Sequence, residues 1–140
     1  MLFQSEVSAQ REGEGICPIV ALHHGEAISL EAGIGYHKWW EKTPYRIIYF
    51  GEGVGASVET ILVKDPVYGV RVEGWLHMFL ALGLGAGYYT NFEQGTVVLQ
   101  PEIGFGFAGG RVSWRPTIPF GTMVPGMSES DLTVCAVFVF

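Results

Sequence analysis

The sequence predicts an all-β chain, an antiparallel up-and-down transmembrane β-barrel of about eight strands. Three observations carry that expectation. Large apolar residues recur at every second position, which is a strand period rather than a helix period. Gly supplies 20 of the 140 residues and falls mostly on the face opposite the large apolar side chains. No window supplies the ~20 apolar residues that a spanning helix needs. The best, Trp75–Tyr89, is short, holds three Gly and His77, and is flanked by Arg71 and Glu73.

Composition sets the outer bounds. One domain fits the length. Hydrophobic residues make up 49% and charged residues 16%, the reverse of a disordered chain. Lys and Arg number 8 against 14 Asp and Glu, which argues against nucleic acid as a partner. Residues 1–10, MLFQSEVSAQ, read as the remnant of an export signal peptide or as a disordered terminus. Val7-Ser8-Ala9 has the small-residue form of a cleavage site. The barrel domain is then 11–140.

The strands follow in order, separated by Gly-, Pro- and Asn-containing turns. Residues 15–24 form the first, less regular segment. In 27–38 the apolar face is Ile28, Leu30, Ala32, Ile34 and Tyr36, against Ser29, Glu31, Gly33, Gly35 and His37. Segment 46–63 alternates in the same way but puts Glu52 among the apolar residues, which a bulge or a place at the membrane rim would accommodate. The long stretch from Val67 to Tyr89 is divided near Gly74–Met78 into strands 67–75 and 78–90. The second of these sets Leu80, Leu82 and Leu84 against Gly83, Gly85 and Gly87. Strand 96–108 carries Ile103 and Phe105 opposite Glu102, Gly104 and Gly106, with Pro101 placed awkwardly inside it. Strands 111–120 and 131–140 complete the set.

Gly placement decides which face is inside. A soluble barrel would turn the large face inward and leave Gly in water, where it covers nothing. A membrane barrel turns the large face to lipid, so Leu80, Leu82, Leu84, Ile103 and Phe105 become lipid-facing. Gly and Ala then relieve crowding in a lumen only wide enough for side chains. Aromatic clusters around Tyr36–Phe50 and Tyr88–Phe92, and at Phe120, Phe138 and Phe140, fit girdles at the two water interfaces.

With the pattern in place, the chain resembles the small outer-membrane β-barrel proteins of Gram-negative bacteria. The end, DLTVCAVFVF, is similar to the assembly signal of that class: Phe140 last, preceded at alternate positions by Phe138, Ala136, Val134 and Leu132. Segment 76–120, including LQPEIGFGFAGGRVSWRPTIPF, looks like uncharacterised barrels of the Bacteroidota type. The resemblance implies a bacterial outer-membrane location, contact with the lipid bilayer and recognition by the barrel-assembly machinery; the short loops, which offer little surface for an extracellular ligand, point to another outer-membrane protein as a further partner.

Candidate chemistry is sparse. Glu31, Arg71, Glu73, Glu102 and Arg115 are expected to form a polar network in the lumen, with Arg111 beside them and Glu102–Arg115 as a pair, because charges in a narrow lumen need opposite partners. His23-His24-Gly25-Glu26 suggests a metal, but adjacent strand residues face opposite ways, so the motif reads as a polar turn tip. Ser113, His77 and Glu102 share the small face without forming a recognisable catalytic motif. GEGVGA (51–56) lacks the strand-to-helix context of a phosphate loop. No catalytic residue, metal or cofactor is expected. Cys17 and Cys135 share the inner face near the seam between first and last strands, where a disulfide is possible alongside two separate thiols. The expected function is a non-enzymatic, plugged barrel acting as a structural or accessory subunit of an outer-membrane assembly. The alternatives are a soluble calyx binding a small apolar ligand and a lipid-modifying outer-membrane barrel enzyme.

Overall fold

A computed structural model describes residues 10–42, 48–107 and 110–137. The expected export-signal residues 1–9, and Phe138 and Phe140 of the expected assembly signal, lie outside the described residues. The chain forms β1 (Gln10–His24), β2 (Ile28–Lys42), β3 (Ile48–Leu62), β4 (Val67–His77), β5 (Leu80–Thr90), β6 (Gly95–Phe107), β7 (Gly110–Pro116), β8 (Ile118–Pro119) and β9 (Ser130–Val137). All pair antiparallel. β5 pairs with β6 and β9 with β1, so the sheet closes on itself. β8 continues β7 in the same register against β6, which makes eight staves in up-and-down order.

That register explains the one interrupted stave. Ile103 faces Trp114 and Leu99 faces Ile118, so Pro101 and Pro116 fall opposite each other. Neither has an N–H to donate, and the ladder lapses between them. The Thr117 N–H turns to the other side and donates to Glu129 O at 2.8 Å.

Closure has a measurable stagger. From Gly13, paired neighbours run through Trp39, Gly51, His77, Ala81, Gly104, Ser113 and Thr133, and return to β1 at His23, ten residues along. Eight staves with a shear of ten tilt by about 40–45° from the barrel axis. β4 and β5 are 11 residues long, so each rises about 26 Å along that axis.

The strand boundaries correct three expectations. The fourth and fifth strands divide at Met78–Phe79, and Leu76 and His77 extend β4 beyond the expected Trp75, because their pairing with β3 continues to Gly51. β3 runs in unbroken register with β2 and β4, so Glu52 sits in a regular strand and not a bulge. The first strand begins at Gln10, five residues earlier than its apolar alternation suggests, since Gln10–Glu14 pair with Lys42–Lys38.

The large apolar face points outward on all eight staves. Leu80, Leu82 and Leu84 are 43%, 41% and 55% exposed, and Ile103 and Phe105 are exposed too. So are Val20, Leu30, Val58, Val72, Val112, Trp114, Leu132 and Val134. The Gly-rich face points in, and its glycines accommodate specific neighbours. A Cβ on Gly53 would lie 2.3 Å from the Trp75 ring, and one on Gly55 2.5 Å from Ile19 Cδ1. On Gly69 it would meet Tyr89 at 2.3 Å, and on Gly85 the Arg71 guanidinium at 2.4 Å. Bulky inward side chains are thus seated over glycines, of the adjacent strand for Trp75, Tyr89 and Arg71 and of the strand beyond it for Ile19.

Candidate functional site

The interior is the chemically distinctive part of the molecule, and its middle is ionic. Glu31 (β2), Glu59 (β3), Arg71 and Glu73 (β4), Glu102 (β6), Arg111 and Arg115 (β7) and Asp131 (β9) are all buried on the inner wall. Arg71 Nη1 donates to both oxygens of Glu31 at 2.9 Å and lies 3.4 Å from Glu73. Arg111 Nε donates to Glu102, while its Nη2 reaches Glu73 across the lumen at 3.2 Å. Arg115 grips Asp131 with two bonds of 2.9 Å and reaches Glu59 with Nη1 at 3.0 Å. Three guanidiniums from two strands therefore bind five carboxylates from five strands. A buried charge is tolerated only when its partners replace water, and these multiply bonded arrangements do so except at Arg71 Nε and Glu73 Oε1, which are buried without a hydrogen-bond partner.

Each expected network residue is accounted for, but the expected Glu102–Arg115 pair is not formed. Glu102 is bound by Arg111, and Arg115 by Asp131 and Glu59. The β7–β9 register puts Asp131 directly opposite Arg115, and its short carboxylate meets the fork of the guanidinium with both oxygens. Sequence reasoning left Asp131 and Glu59 out of the network, although both alternate onto the small face.

His23 is the second correction. It lies on β1 and faces inward, whereas His24 is exposed, so His23 belongs to the interior rather than to a polar turn tip. Its Nε2 is 2.6 Å from Glu31 Oε2 and 3.6 Å from Glu59 Oε1, and its Nδ1 is 2.7 Å from Thr133 Oγ1. One donor atom each from His23, Glu31 and Glu59 lies within 4.8 Å of the others, a spacing compatible with a metal ion. Both carboxylates, however, are already bound by Arg71 and Arg115. A cation placed there would sit against two guanidiniums, so the cluster is complete as an ion-pair network.

The two ends differ. Toward the termini, Trp75 Nε1 donates to His37 Nδ1 at 3.0 Å, and the His37 and Trp75 rings stack at 6.0 Å. Arg111 lies 5.6 Å above the Trp75 ring. At the opposite end, segment 120–129 folds over the barrel mouth. Val124 and Met127 are buried with Ile61, Val67, Tyr89 and Val98. Ser128 Oγ accepts the Glu26 N–H at 2.8 Å, and Thr96 Oγ1 donates to Thr122 O. Gly126, at φ +100, places the segment against Val63 in a conformation that a side chain would strain.

The remaining candidates have plain positions. Ser113 and His77 are buried on the inner wall, with His77 Nε2 3.5 Å from Arg111. The cysteines are free and buried. Cys135 stands opposite Ala21, four residues from Cys17, so the two α-carbons are ~13 Å apart along the seam and the disulfide is excluded. No family model, curated protein or solved structure matches the chain.

Proposed function

We propose that the chain is a small integral β-barrel of a Gram-negative outer membrane, with a plugged lumen, serving as a structural or accessory subunit of an outer-membrane assembly. The observation that carries this reading is the inverted burial. Among the described residues, large apolar side chains are exposed on every stave, while eight charged residues are buried inside. Water-soluble monomers rarely expose contiguous apolar surface beyond a few hundred Å². A bilayer removes that cost and requires a closed sheet, since an open edge would leave backbone groups unsatisfied in lipid. A stave rise of about 26 Å matches the ~25 Å apolar band of membrane barrels.

The edges of the apolar band support the same reading. At the end that carries the termini, Glu14, Lys38 and Glu52 face outward in one cross-strand row, which makes Glu52 a rim residue. At the other end lie Lys64, Asp65 and Glu93 in exposed turns. Aromatics stand near both borders: Phe79 against Phe105 at 5.7 Å, and Tyr68 against Phe92 at 5.6 Å. The plugged lumen is supported by the ion-pair layer and by the apolar segment over one mouth. The soluble calyx needs the large apolar face inside, which is opposite to the observed orientation. The assembly-signal role of Leu132, Val134, Ala136, Phe138 and Phe140 remains what the resemblance implies.

The test is biochemical. Expressed with an export signal, the protein should leave cell envelopes only with detergent and should migrate faster unboiled than boiled on a denaturing gel. In planar bilayers it should give no stepwise conductance. Recovery as a detergent-free soluble monomer would overturn the membrane reading, and reproducible single-channel steps would overturn the plugged lumen.

A further inference from the structure

The outer wall is not uniform. Centred on β2–β5, and reaching Ile16 of β1 and Leu99 of β6, it carries three adjoining shallow, open depressions of about 520, 720 and 550 Å³. The first two share Val54, Gly74 and Leu84, and the second and third share Ile34, Val72 and Ala86, so they form one groove. Gly74 lies on its floor. The inward glycines described above are each required by a close neighbour, but a Cβ on Gly74 would meet nothing nearer than 3.7 Å. A mid-strand glycine marks a bulge, a bend or a place that another molecule approaches closely, and the regular pairing of Gly74 with Val54 and Leu84 excludes the bulge.

The groove begins beside charge. Lys38 and Glu52 line the first hollow together with Tyr36, close to Gly74. Lys38 stands between two carboxylates, opposite Glu14 on one side and Glu52 on the other. The Tyr36 hydroxyl donates to Glu14. Among the described residues, the rim thus offers one cation flanked by two anions at the head of a shallow apolar groove that runs toward the far border.

We propose that this groove holds a zwitterionic, amine-bearing phospholipid. Its phosphate meets Lys38, its ammonium meets Glu52 or Glu14, and its acyl chains lie over Gly74 and Ala86. The inference rests on the membrane reading above. Charge complementarity selects this occupant over two others. An anionic headgroup without an amine would face the two carboxylates uncompensated. A second copy docked on the same face about a two-fold axis along the membrane normal would set Lys38 against Lys38.

Native mass spectrometry of the full chain in detergent tests this. Delipidated protein is titrated with phosphatidylethanolamine and with phosphatidylglycerol of identical chains. The expected result is one phosphatidylethanolamine bound at least tenfold more tightly than phosphatidylglycerol. Gly74→Leu, which fills the floor, should weaken it at least tenfold, and Ala86→Leu serves if Gly74→Leu does not fold. Glu52→Gln should erode the preference between the two lipids. Equal retention of both lipids, retention unchanged by the filling variants, a dimer mass, or a second polypeptide in place of lipid would each overturn the proposal. Solubility without detergent is scored before any lipid is added, so failure of the membrane reading is distinguished from failure of the lipid site.

Discussion

The two faces of a single strand follow opposite rules. Inward from β4 point Val67, Gly69, Arg71, Glu73, Trp75 and His77, and outward point Tyr68, Val70, Val72, Gly74 and Leu76. Every second residue is therefore buried, yet the buried set holds the charges and the exposed set holds the aliphatics. The difference lies in partners. Arg71 is positioned by Glu31 and Glu73, and Trp75 by His37, Gly53 and Arg111. Val70 and Val72 have neighbours along the wall but no directional side-chain bond. The inner face is specified residue by residue, whereas the outer face needs only to be apolar and of strand-forming type.

The largest break of that contrast removes a cation from the inner face. Arg115→Ala would leave Asp131 and Glu59 buried without their guanidinium. Removing one partner of a buried pair costs about 3–5 kcal/mol. Urea unfolding of the barrel in lipid vesicles should show that loss. Asp131→Asn in the Arg115→Ala background should recover part of it by taking away one unpaired charge. A cost under ~1 kcal/mol would mean that water reaches the network and that the interior is not a dry plug.

A smaller break is steric. Gly53→Ala introduces a methyl group 2.3 Å from the Trp75 ring, which is held by its bond to His37 and must shift. Overpacking of this kind costs about 1–3 kcal/mol. Trimming the indole in Trp75→Leu should reduce the cost of Gly53→Ala, and the double-mutant cycle should give a coupling of roughly 0.5–3 kcal/mol. Strict additivity would show that Trp75 is not seated over Gly53.

These contrasts explain what the sequence made legible. Period-two alternation depends only on strand geometry, so Leu80, Leu82 and Leu84 could be assigned to one wall before any pairing was known. The same parity put Glu31, Arg71, Glu73, Glu102 and Arg115 on the other wall. Pairing partners depend on register around a closed sheet, which alternation does not determine. Alternation alone makes Glu102 and Arg115 a plausible pair on neighbouring strands, while the register brings Arg115 to Asp131 and Glu59. A His-His-Gly-Glu run looks like a turn, yet the parity of His23 with Cys17, Ile19 and Ala21 marks it as inward. Cys17 and Cys135 were correctly put on the inner wall, but the distance between them along the seam is again a matter of register. The mouth-covering segment 120–129 was legible only as a turn, because Val124 and Met127 have no period that announces burial.

The smallest effect sharpens the comparison most, because it uses the same substitution as the Gly53 test with the opposite sign. Gly74→Ala adds a methyl group on the outer wall, where the nearest atom is the Gly53 carbonyl oxygen at 3.7 Å and no shift is required. Gly74 is not among the glycines with positive φ, so the backbone accepts a side chain there. Replacing such a glycine restricts the unfolded chain and should stabilise the barrel by about 0.4–1 kcal/mol. The two alanines stand one strand apart, on Gly53 of β3 and Gly74 of β4, and differ chiefly in the face they occupy. If both destabilised alike, the glycine content would reflect strand curvature, and interior crowding would not explain the Gly-rich face. If Gly53→Ala costs stability and Gly74→Ala gains it, the inner glycines serve the side chains seated over them, and Gly74 is free to serve a ligand on the outer wall.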